Sequence, residues 1–173
     1  MAYVRNALGE MVEDLRRELH PEHAHLPAHI SVLPPRALLG TEEEALEFLS
    51  AKCRAVEPFE VVMGDVEAFL PTTPTVFIRV AHAAYKMREL HDILNTGVFA
   101  CEESLPYMPH LTIAKLDTDE RARQVYEISR ERWSQYSGSR RFLIESLTFV
   151  RGRAQEWTDL APVALGGRSV VAR

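Results

Sequence analysis

His29-Ile30-Ser31-Val32 and His110-Leu111-Thr112-Ile113 are one pattern written twice: a histidine, an apolar residue, a hydroxyl residue, an apolar residue. In a β-strand, side chains alternate between the two faces. Each stretch then shows an imidazole and a hydroxyl on one face, about 6–7 Å apart along the strand, and two apolar side chains on the other. Such a set suits a phosphodiester. One imidazole deprotonates an attacking water and the other protonates a departing oxygen, and a side chain with a pKa near 6.5 serves in either role. Ser31 and Thr112 supply donors for the non-bridging phosphate oxygens as charge builds on them. Which histidine is the acid depends on how the substrate lies, and the pattern leaves that open.

The elements that must position these residues follow from periodicity and punctuation. Leu8, Met11, Val12, Leu15 and Leu19 recur at helical spacing and predict a helix over about 5–19, ended by Pro21. Residues 2–4 read as a short edge strand. A histidine-rich loop, 20–27, leads to the first motif strand, expected over 28–33 and stopped by Pro34-Pro35. Thr41 followed by Glu44 is a capping-box signature and opens a helix over about 42–56. Extended stretches follow at 59–70 and 76–80, separated by the turn Pro71-Thr72-Thr73-Pro74. A helix at about 83–94 and a loop at 95–108 lead to the second motif strand, 110–115. Asp117 and Glu120 are expected to cap a helix at about 118–133. Strands are expected at 142–151 and about 156–165, with a mobile tail from Gly166-Gly167-Arg168 onward.

This order repeats. From His29 the next two expected strands begin 30 and 46 residues on, at Phe59 and Thr75; from His110 they begin 32 and 46 residues on, at Phe142 and Glu156. The match points to two related β-α-β-β lobes whose pseudo-symmetry brings the two motif strands together at the centre.

The totals exclude several classes. The chain has 173 residues, 46% hydrophobic and 26% charged, which fits one ordinary globular domain. A net charge of −5 argues against bulk DNA or RNA binding, though a few local cations suffice for a nucleotide or an RNA terminus. Cys53 and Cys101 have no CxxC spacing and read as reduced core thiols. The start lacks a signal-peptide apolar region and no stretch is long enough to span a membrane, so a cytoplasmic protein is expected; a monomer is the default, since oligomeric state leaves no mark in the sequence.

With these residues in place, the chain resembles the 2H phosphoesterase superfamily, in its 2′-5′ RNA ligase and cyclic phosphodiesterase-like branch. The resemblance rests on the two H-x-[ST]-x motifs, on Leu33-Pro34-Pro35-Arg36 after the first, and on Tyr107-Met108-Pro109 before the second. One such motif arises by accident in many proteins; two at matching positions of a repeat are fairly specific. Serine stands in the first motif where the family has threonine, which keeps the hydroxyl. The resemblance implies a bilobal α+β fold with antiparallel sheets lining a central groove. The lobes would span about 20–80 and about 100–165 of a single domain, 1–173, with the helices at about 5–19 and 83–94 packed outside. It also implies metal-independent chemistry, without a cofactor, on 2′,3′-cyclic phosphates or 2′-5′ linkages of RNA ends or nucleotides.

On this reading His29 and His110 are the acid/base pair, and Ser31 and Thr112 bind the phosphate. Arg36 and Lys115, just beyond the motifs, are candidates for substrate binding, as is Tyr107 for lining the groove or stacking on a base. Arg151 and Arg153 are further candidate cations at the end of a late strand. Each has an ordinary alternative: half-buried strand histidines, strand-filling hydroxyls, a core tyrosine, surface cations. The duplicated hydroxyl is what those alternatives leave unexplained. His20, His23, His25 and His29 suggest a metal cluster, but a Pro-flanked loop offers no helical spacing to converge them. Glu42-Glu43-Glu44 reads as a solvated first helical turn that favours the helix dipole. The competing function class is a non-catalytic module that holds a nucleotide or RNA end in the same groove.

Overall fold

A computed structural model describes residues 1–153 and 156–166 of the chain. The expected tail from Gly167 onward and the side chain of Arg153 lie outside the described residues. The strands are β1 (Ala2–Tyr3), β2 (His29–Ile30), β3 (Phe59–Ala68), β4 (Thr75–His82), β5 (His110–Lys115), β6 (Arg141–Ile144), β7 (Ser146–Arg153) and β8 (Glu156–Ala164). The helices are α1 (Ala7–Leu19), α2 (Glu42–Arg54), α3 (Ala84–Leu94) and α4 (Asp119–Gln135).

The fold is α+β with antiparallel sheets. Six strands pair in the order β1-β2-β5-β4-β3-β6, and β7 pairs with β8. Two backbone bonds join the sheets: the Met1 ammonium donates to the Thr148 carbonyl at 2.9 Å, and the Thr148 N–H donates to the Met1 carbonyl at 2.7 Å. Because β6 runs into β7 with only Glu145 between them, the strands make a nearly closed, barrel-like band. The motif strands β2 and β5 are direct neighbours at its middle. The pairing also crosses the repeat: β5, from the second half of the chain, lies between β2 and β4 of the first.

Several elements differ from expectation for local reasons. The strand of the first motif is two residues long and lies between Pro27 and Pro34, which have no N–H to give a ladder. Beyond it the alternation persists, with Ile30 and Val32 buried and Ser31 half-buried. β1 is the edge strand of the six-stranded sheet, as expected, and Met1 just before it bonds to Thr148 of β7. The stretch expected as one strand at 142–151 breaks at Glu145 into β6 and β7. Thr118, rather than Asp117, caps α4: its hydroxyl accepts from the Arg121 N–H. The Thr41/Glu44 capping box of α2 is present in both directions. Cys53 is buried as expected, whereas Cys101 is exposed on the loop after α3.

α1 owes its placement to sequence. Asn6 caps it by accepting from the Leu8 and Gly9 N–H groups, and Leu8, Val12, Leu15 and Leu19 are buried. Gly9 permits a close approach, since a Cβ there would sit 1.8 Å from the Val4 carbonyl oxygen. The helix can therefore lie against the chain entering the first motif. Behind the motifs, Ile30 and Leu111 are both 0% exposed. Each contributes roughly 1.5–3 kcal/mol of burial and pins the strand faces. Among the described residues no helix is long and apolar enough to cross a membrane.

Candidate active site

The register between the motif strands pairs Ile30 with Leu111 in antiparallel fashion. Stepping one residue either way sets His29 opposite Thr112 and Ser31 opposite His110. The four side chains therefore form a square on the face away from the buried pair. Across the strands their neighbours stand about 4.5–5.5 Å apart, and the two histidines lie on the diagonal, about 7–8 Å apart. That spacing leaves room for one tetrahedral phosphate with an imidazole on either side and a hydroxyl at each remaining corner.

Both imidazoles are oriented by the same device. His29 Nδ1 lies 2.7 Å from the Pro27 carbonyl oxygen, and His110 Nδ1 lies 2.7 Å from that of Met108. A carbonyl only accepts, so each Nδ1 carries a proton and each Nε2 is left bare in the neutral ring. Each partner is two residues upstream, next to or at a proline, so the flanking prolines belong to the site. Burial depresses both imidazoles. His29 is pushed down to about 4, chiefly by desolvation and further by Arg16, the N-terminal ammonium and Lys115, against the Pro27 bond. His110 is lowered by desolvation and by Lys115, against the Met108 bond. Both rings are then largely neutral at pH 7 in the substrate-free protein, and a bound phosphate anion would favour adding the proton.

The carbonyls of the two hydroxyl residues are also held. Tyr107 Oη donates to the Ser31 carbonyl at 3.0 Å, and its ring stacks on His91 at 4.3 Å. His91 in turn is bonded to Glu103 at 3.1 Å. On the second motif, Arg16 donates to the Thr112 carbonyl from Nε at 3.1 Å and from Nη2 at 2.6 Å. Its Nη1 reaches the carbonyls of Leu26, at 2.8 Å, and Pro27, at 3.2 Å. Arg16 is only 3% exposed, and burial lowers its guanidinium to about 10. Nothing in the motif spacing pointed to it.

These groups line a cavity of about 930 Å³ that includes His29, Ser31, Tyr107, His110, Thr112 and Lys115. Trp157 and Phe69, also unanticipated, form walls on either side: the Trp157 ring is 5.0 Å from that of His29, and the Phe69 ring 5.3 Å from that of His110. Two expected cations lie elsewhere. Arg36 lines a second cavity, of about 380 Å³, and donates to Asn95 Oδ1 at 2.6 Å, to the Phe99 carbonyl at 3.0 Å, and to Glu103. It braces the loop after α3. Arg151 lines the same second cavity and is bonded through two nitrogens to Glu42, in the first turn of α2. Glu42 is thus an ion-pair partner as well as a helix-dipole residue.

The histidine loop also departs from expectation. Pro21–His23 form one 3-10 turn, whose three-residue period overlays His20 and His23 with ring centroids 4.3 Å apart. Ligand atoms of His20, Glu22 and His23 come within 4.8 Å of one another. The ring nitrogens, however, are engaged in a chain: His20 Nδ1 accepts from the Lys115 N–H at 3.4 Å. That leaves the ring proton on Nε2, which faces His23 Nδ1 at 3.1 Å. A hydrogen-bonded pair at the groove wall accounts for this arrangement.

Several known proteins are similar to this chain in sequence. A family model described as the 2′-5′ RNA ligase superfamily matches residues 4–156. A protein of Oceanobacillus iheyensis, provisionally named a phosphoesterase, is 27% identical over 168 residues, 84% of this chain and 92% of its own length. A similarly named protein of Bacillus anthracis is 27% identical over 115 residues, 62% of this chain and 64% of that protein. One of Halalkalibacterium halodurans is 29% identical over 113 residues, covering 62% and 63% respectively. The matches to the last two thus span less than two thirds of those relatives' own length.

Proposed function

The chain belongs to the 2′-5′ RNA ligase superfamily of 2H phosphoesterases, and from that membership we propose a metal-independent phosphoesterase acting on 2′,3′-cyclic phosphate or 2′-5′ phosphodiester ends of RNA or nucleotides. The observation that carries this reading is the square of His29, Thr112, Ser31 and His110, with both Nδ1 protons tied to carbonyls and both Nε2 atoms left for substrate. In hydrolysis, one Nε2 takes a proton from water as its oxygen attacks phosphorus. The bond from phosphorus to a ribose oxygen breaks, and the other imidazole protonates that oxygen. The hydroxyls of Ser31 and Thr112 hold the non-bridging oxygens, where charge accumulates. Trp157, Phe69 and Tyr107 offer ring surfaces beside the phosphate position, as a nucleoside would require.

The test is turnover of a nucleoside 2′,3′-cyclic phosphate with EDTA present, for the wild type, His29→Ala and His110→Ala. Turnover that survives chelation and collapses in both variants supports the reading, and the product, 2′- or 3′-phosphate, identifies the oxygen that leaves. Activity unchanged in both variants would remove these histidines from the mechanism. Saturable nucleotide binding without turnover of any RNA end would identify a binding module instead.

A further inference from the structure

We propose that Arg16 divides the labour between the two histidines, making His29 the general base and His110 the general acid. The inference rests on the phosphoesterase reading above. It starts from a break in an otherwise matched pair. The Pro27 carbonyl that orients His29 also accepts from Arg16 Nη1 at 3.2 Å. Among the described residues, no second donor reaches the Met108 carbonyl that orients His110. A shared carbonyl is a poorer partner for an imidazolium, and the donor that shares it is itself a buried cation whose hydrogen bonds run to Thr112, Leu26 and Pro27 carbonyls. Glu13, on the same helix, accepts from the Ala28 N–H at 2.8 Å, and its charge offsets only part of that of Arg16.

The other charges around the rings do not restore the balance. His29 faces Lys115 from β5 and the ammonium of Met1, just before β1. It also meets the edge of Tyr3, whose hydroxyl is bonded to Asp159 of β8. His110 faces Lys115 and, across the ladder, Arg79 of β4, which is paired with Glu67 of β3 at 3.2 Å. His29 therefore keeps Nε2 bare and accepts the proton of water as the oxygen attacks. His110 carries the proton delivered to the ribose oxygen when its bond to phosphorus breaks. Afterwards His29 holds a proton and His110 lacks one, and solvent exchange resets both. Water is consumed, and a phosphomonoester with a free ribose hydroxyl is formed.

Two measurements test this. The first follows the imidazole resonances of both histidines by NMR against pH in wild type, Arg16→Met and Arg16→Lys, without substrate. His29 is expected to titrate below His110, to rise by about one pH unit or more in Arg16→Met, and to stay below His110 in Arg16→Lys. Should Arg16→Met not fold, Arg16→Gln, which keeps hydrogen-bond donors without the charge, is titrated in its place. His29 titrating at or above His110, or failing to move in a folded Arg16→Met, overturns the proposal.

The second compares a nucleoside 2′,3′-cyclic phosphate with a p-nitrophenyl phosphodiester, whose leaving group needs no proton. His110→Ala is expected to lose about 10²–10⁴-fold on the first substrate and less than about tenfold on the second, while His29→Ala loses heavily on both. The reverse pattern overturns the assignment. If the wild type turns over neither of these substrates nor any 2′-5′-linked RNA end, the phosphoesterase reading has failed, and the titrations still decide what Arg16 does to His29.

Discussion

His29 and His110 hold their Nδ1 protons on carbonyls at the same 2.7 Å and at the same offset in sequence, yet the scaffolds behind them differ. The first motif occupies a two-residue strand and the second a six-residue one. The Ser31 carbonyl is held by a neutral phenol from Tyr107, the Thr112 carbonyl by the cationic guanidinium of Arg16. Trp157 walls the first imidazole, and Phe69 and Phe77 wall the second. What is shared is the imidazole and hydroxyl face proposed to touch phosphate. What differs lies one layer out, where it sets charge and rigidity, so two like motifs can present the same side chains while their supports specialise.

That comparison breaks most readily at the imidazoles. His29→Ala and His110→Ala should each lower kcat/KM on a cyclic phosphate by about 10²–10⁴-fold, and the double variant should be little worse than the poorer single one, because the residues act as a unit. Additive losses would mean that the two halves work independently. The hydroxyls come next. Ser31→Ala and Thr112→Val should each cost about 10–10³-fold, mainly in kcat. The six-residue ladder holds Thr112 more rigidly than the short strand end holds Ser31, so the Thr112 variant should show the larger loss.

A stability profile sharpens the comparison further. Above pH 6.5 the His29 ring is neutral whether the chain is folded or not. As pH falls from 6.5 towards about 4, the unfolded chain takes up a proton that the folded one refuses, so stability is lost. The loss from this ring is about 3 kcal/mol over that window. Denaturant unfolding at stepped pH should show this slope, and His29→Gln should flatten it more than His110→Gln. Tyr107→Phe removes one neutral hydrogen bond and should cost about 0.5–1.5 kcal/mol, with at most a severalfold fall in kcat. Smallest of all, Arg151→Ala should leave kcat and KM unchanged, since its guanidinium is bonded to Glu42 beside the second cavity.

How much of this was legible in the sequence depends on how local the cause is. β5 appears at 110–115 as expected, because alternation over six residues is a strong local signal. The core side of each motif was equally readable. The partners of Arg36 and Arg151 were not: Glu103 and Glu42 come from distant elements, and nothing near either arginine announces them. Arg16 left a trace, since it falls four residues after Val12 and one after Leu15, inside the apolar stripe of α1. A cation on a buried helix face asks for acceptors, and the carbonyls before and within the motifs supply them. Trp157 reached the site because β8 folds back on β7 and places its ring beside His29, a matter of topology rather than of local pattern.

The ladder pairing Ile30 with Leu111 also has a consequence in time. Pairing strands so far apart in sequence requires closing a long loop, a slow step relative to forming helices such as α1 or hairpins such as β3-β4 and β7-β8. The square of His29, Thr112, Ser31 and His110 does not exist until that ladder forms. Local elements are therefore expected to acquire structure first, with competence for substrate arriving among the last events of folding. Refolding followed at once by helical signal and by turnover would then show two clocks, the catalytic one running behind.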